Sequence, residues 1–277
     1  MDKTDRGDQI LSATHWLAAL VIPFLVVAFV ILFILPQQTG KLFAWKIQPT
    51  MSAMMLGAAY AGGIYFFIGV LRSKKWHKIK VGFLPVTAFA SLLGIATILH
   101  WDKFNHSHIS FFAWAGLYFT TPFIVFTIWL RNRRQDPGQL EEQDIVIPQN
   151  FRRFMGGVGM ITLVISWFLF LQPNFLMEIW PWTLTPLTAR VMGAMFALPG
   201  LVGLGIASDQ RWSSAGLILQ SQGFSILLIL IAAIRAWHEF DRDNPASLLF
   251  LVGLGLILLS IAALLILMQP RHSKNRH

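Results

Sequence analysis

Eight stretches of about twenty residues, each nearly free of charge, decide what this chain can become. They run at 14–35, 51–71, 81–100, 109–130, 153–172, 187–207, 214–236 and 246–268. An apolar run of roughly 18 residues or more crosses a bilayer as a helix, because only a helix satisfies its own backbone polar groups where there is no water. The sequence therefore predicts an all-α polytopic membrane protein with eight transmembrane helices. Charged residues make up 13% of the chain, against about 25% in soluble domains. The longest connection, 131–152, is too short to hold a soluble domain. The first apolar run, Leu17 to Leu35, is too long for a cleavable signal sequence and no small-residue cleavage site follows it, so it reads as a permanent helix. With no cysteine, disulfides and thiolate metal sites are excluded.

The net charge of +9 is a matter of topology rather than of nucleic-acid binding. Of 22 Lys and Arg, 16 fall in the N-terminus, loops 72–80, 131–153 and 208–213, and the C-terminal tail, all on one side of an eight-helix chain. The opposite loops hold Lys41, Lys46, Lys103, Arg235 and Arg242, and Arg190 is left inside a helix. By the positive-inside rule both termini are cytoplasmic in a cell (inner or plasma) membrane, and the basic loops meet anionic lipid head groups.

The chain also carries an internal echo. Phe33, Pro36, Trp45 and Pro49 match Phe170, Pro173, Trp182 and Pro186 at an offset of 137. Ala53, Gly57 and Ala58 then match Ala189, Gly193 and Ala194 at 136, as Trp101 and Phe104 match Trp237 and Phe240. This spacing predicts two four-helix repeats, 1–130 and 153–277, joined by a cytoplasmic linker at 131–152, the second repeat ending in a basic cytoplasmic tail. Four is even, so the repeats are parallel, related by an axis along the membrane normal. The repeated turns "FAWKIQP", "HWDKFNHSH", "WPWTLTP" and "AWHEFDRDNP" all fall on the extracytoplasmic side, where a site is expected.

Three sets of residues stand out there. Trp180 and Trp182 are interfacial aromatics that also fit an aromatic rim for a lipidic ligand. Arg190 and Arg235 replace Met54 and Leu99 of the first repeat, and two guanidiniums at similar depth suit a carboxylate or phosphate. Inside the protein, Glu178 or Asp102 is a partner for Arg190, and Glu239, at i+4, for Arg235. His100, Asp102, His106, His108, His238 and Asp241 are imidazole and carboxylate groups of the kind that bind a divalent metal. Their plainer roles are solvation and capping, with Ser107 and Asp243 or Asn244 as N-caps and Pro245 at the first helical position. In helix seven, Gln220, Ser221, Gln222 and Ser225 either hydrogen-bond to other helices or line a polar path.

No nucleotide, haem, nucleophile-elbow or HExxH signature is present, which lowers the expectation of an enzyme. The leading reading is a protein that binds or transports a small anionic or lipidic ligand near the extracytoplasmic face between the repeats. The alternatives are a non-catalytic subunit of a larger membrane complex and a membrane-embedded enzyme with an extracytoplasmic His/carboxylate site. Membrane lipids, further copies of the chain or other membrane subunits are its expected partners, and nucleic acid is not.

Overall fold

The computed structural model describes residues 7–268 apart from 143, so the outermost basic residues counted above, Lys3, Arg6, Arg271, Lys274 and Arg276, lie outside the described residues. Eight long helices span the predicted stretches: α1 (Ser12–Phe29, continued by a π-helical turn, Val30–Ile34), α2 (Thr50–Arg72), α3 (Phe83–Leu99), α4 (Ile109–Asn132), α5 (Gln149–Leu171), α6 (Pro186–Ser208), α7 (Trp212–Arg235) and α8 (Pro245–Leu267). Each is long and apolar enough to cross a membrane, and the chain is an integral membrane protein by that measure. Among the described residues there is no strand, only two isolated bridges, Gln9 with Lys75 and Val146 with Arg211.

Proline sets several boundaries. Pro36 cannot continue the hydrogen bonding of α1, and Leu35 before it leaves helical geometry at φ −115°, ψ 46°. Pro148 stands at the N-cap of α5, which begins four residues before the predicted span and shortens the non-helical part of the linker. Pro186 and Pro245 occupy the first positions of α6 and α8, where a missing N–H costs nothing. Asn244 caps α8 as expected, its Oδ1 accepting from Ala246 N–H at 2.9 Å. The cap of α4 is His108, not Ser107: His108 Nδ1 accepts from Ser110 N–H at 3.2 Å.

Four helix pairs that adjoin in sequence pack together: α1 with α2, α3 with α4, α5 with α6 and α7 with α8. Two further seams join the halves of the chain, α2 against α7 and α3 against α6. In lipid there is no hydrophobic gain in pairing apolar helices, so close approach through small residues decides the contacts. At Gly57 an added Cβ would stand 2.9 Å from Phe33 Cβ, and at Gly159 it would stand 2.6 Å from the Gly200 carbonyl oxygen. Several polar groups inside the bundle are paired across helices. Tyr60 and Tyr118 hydroxyls meet at 2.6 Å, Trp114 Nε1 donates to Thr97 at 2.9 Å, and Asn132 Nδ2 donates to Thr14 at 2.9 Å. α8 is apolar all round and buries only Ser247 and Ile261, the state of a helix with most of its surface towards lipid.

Candidate functional site

The bundle has two ends: an aromatic end carrying the repeated turns, and a linker end where the N-terminal segment, the α2–α3 loop, the 133–148 linker and the α6–α7 turn come together.

At the aromatic end the candidate residues are separated. Arg190, one turn into α6, directs Nη1 at His100 Nε2 (2.8 Å) and at the Pro186 carbonyl (3.4 Å). A guanidinium only donates, so His100 accepts as the neutral imidazole. Burial and the neighbouring Arg190 charge both push the His100 pKa down, in keeping with that state. Glu178 is exposed and Asp102 is taken up by Lys103 at 2.8 Å, so neither meets Arg190. Arg190 Nε is buried without a partner. Arg235 sits in a different seam: Nη1 donates to the Phe33 carbonyl at 2.7 Å and the guanidinium lies over the Phe33 ring, 5.3 Å from its centre.

The expected Arg235–Glu239 pair is not formed, because Glu239 has better donors. Its carboxylate accepts from Thr50 N–H (2.9 Å), Thr50 Oγ1 (2.7 Å) and Met51 N–H (2.7 Å), capping α2 of the other half. Pro49 at the N-cap has no side-chain donor or acceptor for these free N–H groups, and a carboxylate also suits the positive end of the helix. α6 needs no such help, since Thr185 Oγ1 accepts from Thr188 N–H at 3.2 Å.

The rest of the set is structural in its contacts. Trp182 Nε1 donates to Ser52 at 2.9 Å, while Trp180 lies edge-on to Trp182 and Phe196 with its own Nε1 unpartnered. His106 stacks on Trp101 with ring centres 4.9 Å apart. His238 and Asp241 are exposed. Of the α7 amides, Gln220 accepts from Tyr65 at 2.8 Å and Gln222 Nε2 is buried without a partner; Ser221 donates to the Gly62 carbonyl at 2.8 Å. The outer imidazoles and carboxylates do not form a three-donor group, each having gone to a basic neighbour, a cap, a stack or solvent.

The linker end holds what the sequence patterns overlook. Arg211, only 3% exposed, grips two aspartates. Nη1 and Nη2 donate to the two oxygens of Asp136 at 2.8 Å each, and Nε and Nη2 donate to Asp209 at 3.0 and 2.8 Å. Lys80 Nζ lies 2.7 Å from both carboxylates. Burial opposes ionisation of Asp136 and Asp209, but the hydrogen bonds from Arg211 and Lys80 outweigh it and hold both carboxyl groups well below the usual range. Beside this cluster is an open cleft of about 400 Å³ lined by Lys80, Arg133, Asp136, Arg152, Asp209 and Arg211.

A second cluster lies between the halves. Asp8 Oδ1 accepts from His77 N–H at 3.0 Å and Oδ2 accepts from His77 Nδ1. His77 Nε2 faces Ser213 Oγ at 3.0 Å and Glu141 Oε1 at 4.0 Å. Ser213 in turn donates to Asp144 Oδ2 at 2.5 Å, and its N–H to Asp144 Oδ1 at 3.0 Å. The order Asp8–His77–Ser213 matches that of a nucleophile relay, yet the serine gives its proton to Asp144 rather than to the ring. Asp8, His77 and Glu141 form the one group of three or more metal-capable donors, all within 4.8 Å of one another, among the described residues. Its members are spread over 134 sequence positions, so no local spacing marks them. The one hint is that Trp76 and Trp212, each just before the polar residue, are again 136 apart.

Compared with known proteins, the chain matches no family model, no curated protein and no solved structure.

Proposed function

We propose that the chain consists of two parallel four-helix repeats with the linker end in the cytoplasm, and that it binds or carries a small anionic or lipidic ligand near the aromatic face. Supporting the duplication, equivalent contacts recur at the sequence offset. Trp45 packs on Phe104 and Trp114 at 5.0 and 4.7 Å, and Trp182 on Phe240 and Phe250 at 5.1 and 5.3 Å. Asn105 N–H donates to the Ala44 carbonyl and Asp241 N–H to the Pro181 carbonyl, both at 2.8 Å. The α2–α7 and α3–α6 seams exchange the second and third helices of each repeat, the pairing expected of a two-fold axis. A reporter fused at Leu140 is expected to read cytoplasmic and one at Lys103 extracytoplasmic; the reverse result removes the orientation.

The ligand reading is carried by Arg190. It is a part-buried guanidinium near the start of a membrane helix, and among the described residues no carboxylate lies within 4.0 Å of it. A charge there costs free energy unless compensated, and its partner in the protein is a neutral ring. An anionic head group supplies the missing charge, and the part-buried Trp180 stands at the same end of the bundle. The test is to purify the protein in mild detergent, extract it with solvent and quantify bound anionic amphiphiles by mass spectrometry. Arg190→Met, which restores the residue of the first repeat, is expected to lower retention at least about tenfold, equivalent to ~1.4 kcal/mol. Trp167→Ala, on a lipid-facing position, serves as the control. Equal retention by wild type and Arg190→Met eliminates this reading.

A further inference from the structure

We propose that the linker-end cluster is a divalent-cation site in which His77 Nε2 and Glu141 are ligands, Ser213 completes the oxygen side, and Asp8 holds the ring from behind. It lies at the opposite end from Arg190 and does not depend on the ligand reading above.

Proton accounting leads to this site. Carboxylates only accept, so the Asp8 contact fixes the ring proton on Nδ1, and the Asp144 contact fixes the hydroxyl proton of Ser213 on the bond between them. What remains between His77 and Ser213 is 3.0 Å of space with a lone pair on each side. Two lone pairs facing one another at that distance suit a metal ion bound to Nε2. The surroundings favour the ion. Two carboxylates, those of Asp8 and Glu141, flank a His77 side chain that is 2% exposed, and Asp144 adds a third negative charge behind Ser213. The one lysine in contact, Lys75 on Glu141, is half-exposed and free to swing aside on its long stem.

The geometry is close to what an ion requires. His77 Nε2 and Glu141 Oε1 are 4.0 Å apart; ligands of one tetrahedral zinc are roughly 3.4 Å apart at bond lengths near 2.1 Å, so a shift of about half an ångström suffices. A carboxylate on the far ring nitrogen is the usual support of a metal-binding histidine, because it fixes the tautomer and raises the basicity of the ligating nitrogen. Asp8 makes that contact from an N-terminal segment held in register by Trp76 N–H donating to the Asp8 carbonyl at 2.9 Å and by Asp8 N–H donating to the Gln135 carbonyl at 3.1 Å. A mixed imidazole and carboxylate set suits Zn²⁺ or Mn²⁺. Bound there, the ion ties the N-terminal segment, the α2–α3 loop, the linker and α7 into one unit.

The experiment uses full-length protein purified without a polyhistidine tag, stripped with chelator, then titrated with Zn²⁺ and with Mn²⁺ and desalted for elemental analysis. About one ion per chain is expected, with affinity falling at least about tenfold in His77→Ala and in Glu141→Gln. His106→Ala and His238→Ala, at the other end, are expected to bind as wild type does. Glu141 is partly exposed, so its variant keeps the fold testable, and the ion is expected to raise the Tm of wild type but not of Glu141→Gln. Absence of retained metal and of any Tm shift in wild type overturns the site. Equal binding by wild type, His77→Ala and Glu141→Gln overturns it as well.

Discussion

Arg211→Met is expected to destabilise the protein by about 3–5 kcal/mol, lowering Tm by roughly 10 °C in a thermal melt at neutral pH. The size of the effect comes from what is left behind. Asp136 and Asp209 each accept two hydrogen bonds from the guanidinium. Without it, two buried carboxylates share the single ammonium of Lys80. Arg211→Lys keeps the charge but not the planar fork, and is expected to fall between the two. The same cluster fixes a pH response. Both aspartates have folded pKa values depressed below their unfolded ones, so their contribution is complete above about pH 4 and is lost as pH falls further, towards the folded values. The Tm difference between wild type and Arg211→Met is therefore expected to be constant from neutral pH down to about pH 5 and to shrink below about pH 4. A difference that stays constant below that value, or a melting curve unchanged by the substitution, contradicts the role given to Arg211.

Gly159→Leu is expected to prevent correct packing of α5 on α6, at a cost of at least about 3 kcal/mol. A Cβ at Gly159 meets only backbone: the Gly200 carbonyl oxygen at 2.6 Å, Leu204 N at 3.1 Å and Gly203 Cα at 3.2 Å. Backbone cannot rotate away as a side chain does, so the helices must separate. Gly157, two residues earlier on the same helix, has nothing within 4 Å and faces outward. Gly157→Leu adds apolar surface in lipid and is expected to leave the yield of monodisperse protein and its Tm near wild type. Similar behaviour of the two variants would show that close helix approach is not what holds α5 to α6.

Gly157 and Gly159 are indistinguishable in the sequence. Both stand in one apolar run, and hydropathy gives them the same environment, because lipid and a neighbouring helix are equally apolar. Which of them faces α6 is a property of the packed bundle. Arg190 is a similar case. Its oddity is visible in the sequence, since the first repeat has Met54 there, but its partner is His100, ninety positions away at the C-cap of α3. Glu239 was within helical reach of Arg235, and only the α2–α7 seam offers it the free N–H groups of Thr50 and Met51. The His/acid turns attract attention because their residues are close in sequence. In the fold those residues diverge, and the three-donor group forms instead from Asp8, His77 and Glu141.

The sequence by itself determined the eight helices, because burial in hydrocarbon leaves a twenty-residue apolar segment no other way to satisfy its backbone. It also determined several helix ends, through prolines that cannot continue a hydrogen-bonded ladder and the Asn244 cap that starts one. Only the tertiary structure decided which charges meet. Pairing of ions and hydrogen-bond donors depends on distances of three to four ångström between segments that are distant along the chain. Apolar periodicity carries no record of such distances, and they were set when α2 packed on α7 and α3 on α6.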